Sequence, residues 1–125
     1  MRLWHTDLLS KLPQKQLSGQ WREVIALLGN GWGRNHSTVN YVFNHSVDKL
    51  LAYSKLVADE MERRGWKPRR ELLIKALLKR HSDSVVELIE FGSSYWYKQK
   101  VIYIQHNSKY LQECLENLSS KGINI

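Results

Sequence analysis

Cysteine is almost missing from this sequence, which contains a single one, Cys114. An intrachain disulfide is therefore impossible, and a reducing cytoplasmic setting suits the chain. Cys114 falls on an apolar stripe, and this position favours a buried, unreactive thiol over a nucleophile. Internal repeats, low-complexity runs and linkers are also missing, so we expect a single domain, residues 1–125.

Long apolar runs are missing as well. A membrane-spanning helix needs about 18 or more predominantly apolar residues, and no stretch of this chain approaches that length. The polar residues His5, Thr6 and Asp7 stand where a secretory signal peptide has its apolar centre. We therefore expect a cytoplasmic protein that neither enters a membrane nor is secreted by the usual route.

Negative charge is in the minority, with 12 acidic residues against 19 lysines and arginines, a formal net charge of +7. Such a surplus favours an anionic partner, nucleic acid above all. The five histidines, at positions 5, 36, 45, 81 and 106, lack any regular metal-ligand spacing. The glycines at 29, 31 and 33 follow no predicted strand and form no G-x-G-x-x-G pattern. The sequence thus predicts neither a metal nor a cofactor.

Apolar residues at helical spacing dominate the rest of the chain. The first predicted helix opens at Pro13 and ends before Gly29, with an apolar stripe at Leu17, Trp21, Val24, Ile25 and Leu28. Caps and periodicity predict further helices from Ser37 or Thr38 to Phe43, from Ser46 to Arg64, from Arg69 to Arg80 and from about Asn107 to Ser120. Another apolar segment covers 85–91, and 95–104 is expected to be extended and to lie on helices. We predict an all-α fold, a compact single-domain bundle of four or more helices.

The first twelve residues are too apolar for a free tail. They include Leu3, Trp4, Leu8, Leu9 and Leu12. Because such side chains are stabilised by burial, we expect an ordered N-terminal segment held against the body of the protein.

One charged pair in the first helix calls for an explanation. Arg22 and Glu23 are neighbours in sequence, so they do not face each other on a helix and cannot form a local ion pair. Two interpretations remain open. The pair is either solvated on an outer face or directed at a ligand. Glu60, which flanks the apolar stripe of the third helix, is a candidate for a second inward carboxylate.

Several stretches, taken in order, resemble the pyrimidine-dimer DNA glycosylase family over roughly residues 1–67. They are Met1-Arg2-Leu3-Trp4, Gln20-Trp21-Arg22-Glu23, Arg34-Asn35-His36, Asp59-Glu60-Met61 and Arg64-Gly65-Trp66. The stretch from Tyr110 to Leu118, followed by Lys121-Gly122-Ile123, also resembles a sub-group of uncharacterised bacterial and phage proteins.

The resemblance implies a mechanism and its residues. In that family the N-terminal amine attacks the sugar, a glutamate matching Glu23 supports the intermediate and the proton transfers, and an arginine matching Arg22 binds the DNA. An α-amine suits this role because its pKa, about 7.7–8.0, lies well below that of lysine, about 10.4. Here the second residue is the bulky Arg2, so the initiator methionine is expected to stay and the Met1 amine becomes the candidate nucleophile.

The predicted DNA-binding residues combine this resemblance with the basic clusters of the chain. They are Arg2, Arg22, Arg34, Asn35, His36, Arg64, Lys67, Trp96 and Lys98. A wider basic cluster, which we call the 63–80 cluster, could follow a phosphate backbone: Arg63, Arg64, Lys67, Arg69, Arg70, Lys75, Lys79 and Arg80. Two alternatives stay open, namely that half of this cluster is solvated helix surface and that Trp96 packs in the core instead of stacking on a base.

The sequence therefore favours a monomeric DNA glycosylase, with abasic-site lyase activity as an extension, acting on duplex DNA that carries a damaged or modified base. We expect it at the nucleoid or in a phage-infected cell. A basic DNA-binding protein without catalysis on the same scaffold is the alternative, because Met1 replaces the usual nucleophile. An accessory protein that binds an acidic protein partner is a third possibility.

Overall fold

The structure, a computed structural model, describes residues 2–29, 40–43, 47–81, 96–97, 99 and 102–125. Within these residues, a 3-10 turn at Thr6–Leu8 precedes the α-helices α1 Gln14–Leu28, α2 Asn40–Phe43, α3 Val47–Arg63, α4 Glu71–His81 and α5 Ser108–Ser120. These ranges contain helices and no strand, which confirms the all-α prediction. The predicted bounds of α1, α3, α4 and α5 agree within two residues. Ser37, Thr38 and the segment 85–91 lie outside the described residues.

The core forms where α1 packs against α3 and α4. The inward face of α1 includes Leu17, Val24 and Leu28, none of which is exposed to solvent. Leu50 and Val57 of α3 meet them and are also fully buried. The apolar residues of each helix recur at i, i+3, i+4 and i+7 and form a stripe. The two amphipathic helices stabilise each other because each covers the apolar stripe of the other.

Two helix ends follow directly from local chemistry. Gly65 terminates α3 with a φ of +91°, a conformation that strains any residue with a Cβ, and the next N–H, of Trp66, donates back to Met61 O at 3.0 Å. Asn107 begins α5, where its side chain accepts a hydrogen bond from Tyr110 N at 2.9 Å. No helix among the described residues is both long and apolar enough to span a bilayer.

The N-terminal segment is ordered, as predicted. Leu3, Trp4, Leu8, Leu9 and Leu12 are all buried, with at most 6 % of each exposed. Arg64, just after α3, adds two hydrogen bonds to the segment, since its guanidinium donates to Leu9 O and Ser10 O, both at 3.3 Å. The segment is therefore part of the core, and its backbone is fixed relative to α1 and α3.

Glu60 is an inward carboxylate, as its position beside the apolar stripe suggested. Its side chain is 6 % exposed and lies 2.6 Å from the Arg63 guanidinium and 3.5 Å from that of Arg64. Hydrogen bonds from Arg63 hold the pKa of Glu60 below its ordinary value, against the opposing effect of burial. Glu60 therefore serves as an anchor for two arginines, one of which fixes the N-terminal segment.

Replacing this anchor should cost stability in a pH-dependent way. We expect Glu60→Gln to lower the free energy of unfolding by about 1–3 kcal/mol at pH 7, since a hydrogen-bonded charge is lost. A carboxyl with a lowered folded-state pKa contributes fully above its ordinary value of 4.5, and the contribution fades as pH falls through the folded value. Urea denaturation at pH 7 and at pH 3.5 should show the difference from wild type shrinking. Glu71→Gln, which removes an exposed ion pair with Arg69, is the control and should change stability far less.

Candidate active site around Glu23

The amide of Gln20 connects the N-terminal segment to α1. Gln20 is 1 % exposed, and its Oε1 accepts from Trp4 N at 2.7 Å. Its Nε2 donates to Arg2 O at 3.0 Å and to Glu23 Oε2 at 3.2 Å. One buried side chain thus contacts the backbone on both sides of Leu3 and the candidate catalytic carboxylate.

Two tyrosines from other helices hold the same segment. The hydroxyl of Tyr53, on α3, lies 2.5 Å from Trp4 O and 3.0 Å from Gln20 Oε1. The hydroxyl of Tyr110, on α5, donates to Leu3 O at 2.5 Å. Burial raises the pKa of both phenols, so both remain protonated donors at neutral pH. Side chains of α1, α3 and α5 together bind the backbone of residues 2–4.

The side chain of Glu23 is half-buried and lies next to the first residues of this segment. It accepts a hydrogen bond from the Gln20 amide at 3.2 Å. Burial raises the pKa of Glu23, while the positive N-terminal amine, the Arg2 N–H, Arg22 and Lys121 act in the opposite direction. The outcome is a carboxylate that is poorly solvated and faces several positive groups, the environment expected for a catalytic carboxylate.

Three cations belong to this part of the protein, and we call them the cationic rim: Arg22 and Lys121, which act on the Glu23 carboxylate, and Arg2, whose carbonyl is joined to Glu23 through Gln20. The Arg2 guanidinium lies 5.9 Å from the ring centre of Trp4 and 5.7 Å from that of Tyr110. The ammonium of Lys121 lies 5.5 Å from the Trp4 ring. Arg22 is exposed on the outer face of α1. Positive charges on rigid supports around one carboxylate can bind phosphates on either side of a nucleotide.

The candidate nucleophile, Met1, lies outside the described residues, but covalent geometry restricts its amine. The Gln20 amide joins Arg2 O to Glu23 Oε2, and two carbon atoms separate the Arg2 nitrogen from the nitrogen of residue 1. The backbone nitrogens of two consecutive residues are at most about 3.7 Å apart. The candidate nucleophile therefore belongs to the residue bonded to Arg2, whose backbone is held next to Glu23 by the Gln20 amide. Such an arrangement can bring a nucleophilic amine and a carboxylate to the same sugar.

Of the remaining predicted DNA-binding residues, Arg34, Asn35, His36 and Lys98 lie outside the described residues. Lys67 is exposed just beyond α3. Arg64 contacts Glu60 and the backbone at Leu9 and Ser10, as described above, and its side chain is 19 % exposed. It has a structural role in the described structure, and its contact with DNA stays a prediction.

Trp96 packs partly buried against the core, with the Lys49 ammonium 4.2 Å from its ring centre. This contact matches the core-packing alternative, while stacking on a base stays a prediction. Its neighbour Tyr97 donates a hydrogen bond to Asp59 on α3. The prediction of an extended stretch is wrong at Trp96 and Tyr97, which are helical, and Tyr97 attaches this part of the stretch to α3.

Much of the 63–80 cluster is neutralised within the protein. Arg63 and Arg64 pair with Glu60, as described above, and Arg69 pairs with Glu71 at 2.9 Å. Arg70 lies 2.6 Å from Asp59 and 2.7 Å from Glu62. Lys67, Lys75 and Lys79 are exposed and take no part in the ion pairs of the described residues. The cationic rim around Glu23 is consequently the stronger candidate for phosphate contacts.

Two buried histidines, His5 of the N-terminal segment and His106 just before α5, lie next to each other. His5 and His106 are 5 % and 6 % exposed, with ring centres 5.5 Å apart. Burial lowers the pKa of His106 to about 3, so its ring is neutral. Its Nε2 lies 2.9 Å from the hydroxyl of Tyr41. The described residues hold no group of three or more histidine, cysteine, aspartate or glutamate side chains that could bind a metal ion.

Sequence reasoning missed four residues of the site, namely the buried Gln20 amide, the hydroxyls of Tyr53 and Tyr110, and Lys121. Gln20 carries one local signal, because it occupies an inward position of the α1 stripe. The other three come from α3 and from the C-terminal end of the chain, and no local pattern connects them to Glu23.

Comparisons with known proteins give one match. A family model described as pyrimidine dimer DNA glycosylase matches residues 1–74, which include the N-terminal segment, Gln20, Arg22, Glu23 and all of α3. No curated protein and no solved structure gave a significant match.

Proposed function

Because the chain belongs to the pyrimidine dimer DNA glycosylase family, we propose that it removes a damaged pyrimidine from duplex DNA with the amine of its first residue and the carboxylate of Glu23. The family supports glycosylase activity on pyrimidine dimers. The observation that supports the two residues is the Gln20 amide, which donates both to Arg2 O and to Glu23 Oε2 and so holds the beginning of the chain beside a half-buried carboxylate.

The chemistry follows from an amine acting as nucleophile. The neutral amine attacks C1′ of the sugar, a bond from nitrogen to C1′ forms, and the bond from C1′ to the base breaks. The base leaves with the electron pair of that bond and takes up a proton, while the attacking nitrogen loses one. The sugar ring then opens to give a Schiff base. A proton removed from C2′ lets the 3′ phosphate leave by β-elimination, which cuts the strand.

Glu23 suits two parts of this sequence. Its negative charge stabilises the positive charge that develops on the sugar as the base departs, and poor solvation strengthens that interaction. Once the amine has attacked, the same carboxylate can accept protons, because burial raises its pKa from the ordinary value of 4.5. An α-amine with a pKa of about 7.9 is roughly one-tenth neutral at pH 7, so the nucleophile is present without a metal or a cofactor.

Access to the sugar requires the duplex to open or kink. Opening costs a few kcal/mol and costs least where a lesion has already weakened stacking, which gives selectivity for damaged sites. We propose that the cationic rim binds the phosphates around the opened nucleotide and offsets part of this cost. Base release from a lesion-bearing duplex, followed by strand cleavage, is the direct test of the whole proposal.

One observation favours the non-catalytic alternative. Arg2 is too large for ready removal of Met1, so the nucleophile has to be a methionine amine with a long side chain beside it. A DNA-binding protein on this scaffold would keep salt-sensitive binding and show no turnover. The same lesion-bearing duplex therefore separates the two functions.

DNA binding should depend steeply on salt and on the cationic rim. Neutralising about five phosphates gives a log–log salt slope near −4.5, roughly a 500-fold loss of affinity between 50 and 200 mM salt. Lys121→Gln should reduce the slope by about 0.9, because one phosphate contact is lost. Fluorescence anisotropy of a labelled duplex measures both.

A matched lysine distinguishes two docking surfaces. Lys75 is exposed on α4, in the 63–80 cluster. If DNA binds at the cationic rim, Lys75→Gln leaves the slope unchanged. A slope that responds to Lys75→Gln and not to Lys121→Gln would place the DNA along α4, and binding indifferent to salt would point to a protein partner instead.

A further inference from the structure

The side chain of Gln20 has more contacts with the candidate active site than any packing role requires. A glutamine amide offers two N–H donors and one carbonyl oxygen with two lone pairs. In this protein both donors face acceptors, Arg2 O and Glu23 Oε2, and the oxygen faces two donors, Trp4 N–H and the Tyr53 hydroxyl. Both donors and one lone pair of this buried amide are thus used, and its oxygen also faces the Tyr53 hydroxyl, whose one proton is shared with Trp4 O.

Other side chains of this length cannot reproduce the set. Glutamate keeps the acceptor oxygens but has no donor for Arg2 O and would place a second carboxylate 3.2 Å from Glu23. Methionine has the right shape and supplies neither donors nor a strong acceptor. The arrangement therefore specifies an amide, although an apolar residue would serve a purely packing position in an α1 stripe equally well.

We propose that Gln20 is a positioning residue that holds the backbone of residues 2–4 at a fixed distance from the Glu23 carboxylate, so that the N-terminal amine and the carboxylate act on the same sugar. This rests on the function proposed above. Gln20 is 1 % exposed and does not touch DNA, so it acts through Arg2 and Glu23 alone. Tyr53 supports it by placing its hydroxyl 3.0 Å from Oε1 of the amide.

Positioning on this scale has a large kinetic effect. Misplacing reacting groups by about 1 Å can cost 100-fold in rate even when the substitution is away from the reacting atoms. The Gln20→Glu variant should therefore form the borohydride-reduced adduct with an abasic duplex about 100-fold more slowly than wild type in single turnover. Its affinity for the duplex should stay within about threefold, since a buried residue contributes no phosphate contact.

The pH profile distinguishes positioning from mere support of the fold. Glu23 is already influenced by the N-terminal amine, Arg2, Arg22 and, from the end of α5, Lys121, all of which favour its ionised form. A second carboxylate at position 20 repels that form and raises the pKa of Glu23, so the acid limb of the rate should move to higher pH. A loss of stability alone would lower the melting temperature and leave the limb where it is.

Two further variants keep the test decisive. Gln20→Met removes the same donors without adding charge, so its rate should fall while its acid limb moves less than that of Gln20→Glu. Gln14→Glu adds the same charge at an exposed position in the first turn of α1 and should leave rate and pH profile unchanged. If Gln20→Glu does not fold, Gln20→Met and Tyr53→Phe carry the comparison.

The outcomes separate this proposal from the one it rests on. Wild-type protein that forms no adduct and releases no base overturns the proposed function, and the role of Gln20 with it. Wild-type protein that reacts, beside folded Gln20 variants that react equally fast with the same pH profile, overturns only the positioning role. Slower reaction with an unshifted limb in both variants would make Gln20 a structural residue.

Discussion

Glu23→Gln is expected to lower the single-turnover rate of base release by about 1,000-fold or more while DNA affinity stays within about tenfold. Glutamine keeps the shape and a hydrogen-bonding oxygen, but it loses the negative charge that stabilises a cationic sugar and the base that moves protons. Quenched reactions with a lesion-bearing duplex give the rate, and anisotropy gives the affinity.

The stability of this variant adds a second criterion. A carboxyl whose folded-state pKa is raised contributes stability at low pH, and the contribution is lost as pH rises through the folded value. At pH 7 the ionised Glu23 therefore costs stability, and Glu23→Gln should melt within a few degrees of wild type or slightly above it. Glu113→Gln, an exposed change of the same charge on α5, is the control. A Glu23→Gln variant that unfolds would assign the residue to a structural network.

An extension of one or two residues ahead of Met1 is expected to abolish Schiff-base trapping completely. Each added residue moves the α-amine by up to about 3.5 Å, whereas the backbone of residues 2–4 stays held by Gln20, Tyr53 and Tyr110. Borohydride reduction with an abasic duplex, followed by mass spectrometry, measures the adduct and locates it. In the unextended protein the adduct should be on the first residue, either Met1 or a freed Arg2.

An extension of equal length after Ile125 controls for nonspecific effects and should trap normally. Adducts on an internal lysine, or trapping that survives the N-terminal extension, would show that the amine assignment is wrong. If no substrate gives an adduct while base is still released, the glycosylase works without an amine. If neither occurs, the DNA-binding alternative remains.

The sequence predicted those parts of the fold that local chemistry decides. The bounds of α3 follow from its apolar period and from Gly65, whose φ of +91° suits a helix end. The ordered N-terminal segment follows from Leu3 and Trp4, which are too apolar to leave in water. Glu60 was also located correctly, because its position beside an apolar stripe is visible in the spacing.

The parts it could not predict depend on contacts between distant positions. Tyr53 is 33 residues from Gln20, and Tyr110 is 107 residues from Leu3, so no window of the sequence relates them. The basic residues after α3 were visible as a cluster, but their pairing with Glu60, Asp59 and Glu62 depends on how helix ends meet. Counting charges therefore did not show how much of this surface is paired within the protein.

The hold that α5 exerts on Leu3 has a consequence for how the protein is made. The Tyr110 hydroxyl binds the carbonyl of Leu3. At about 5–20 residues per second, the ribosome adds Tyr110 on the order of 5–20 s after Leu3. During that interval the backbone at Leu3 lacks one of the side chains that hold it. The N-terminal segment is therefore fully held only after α5 has been made.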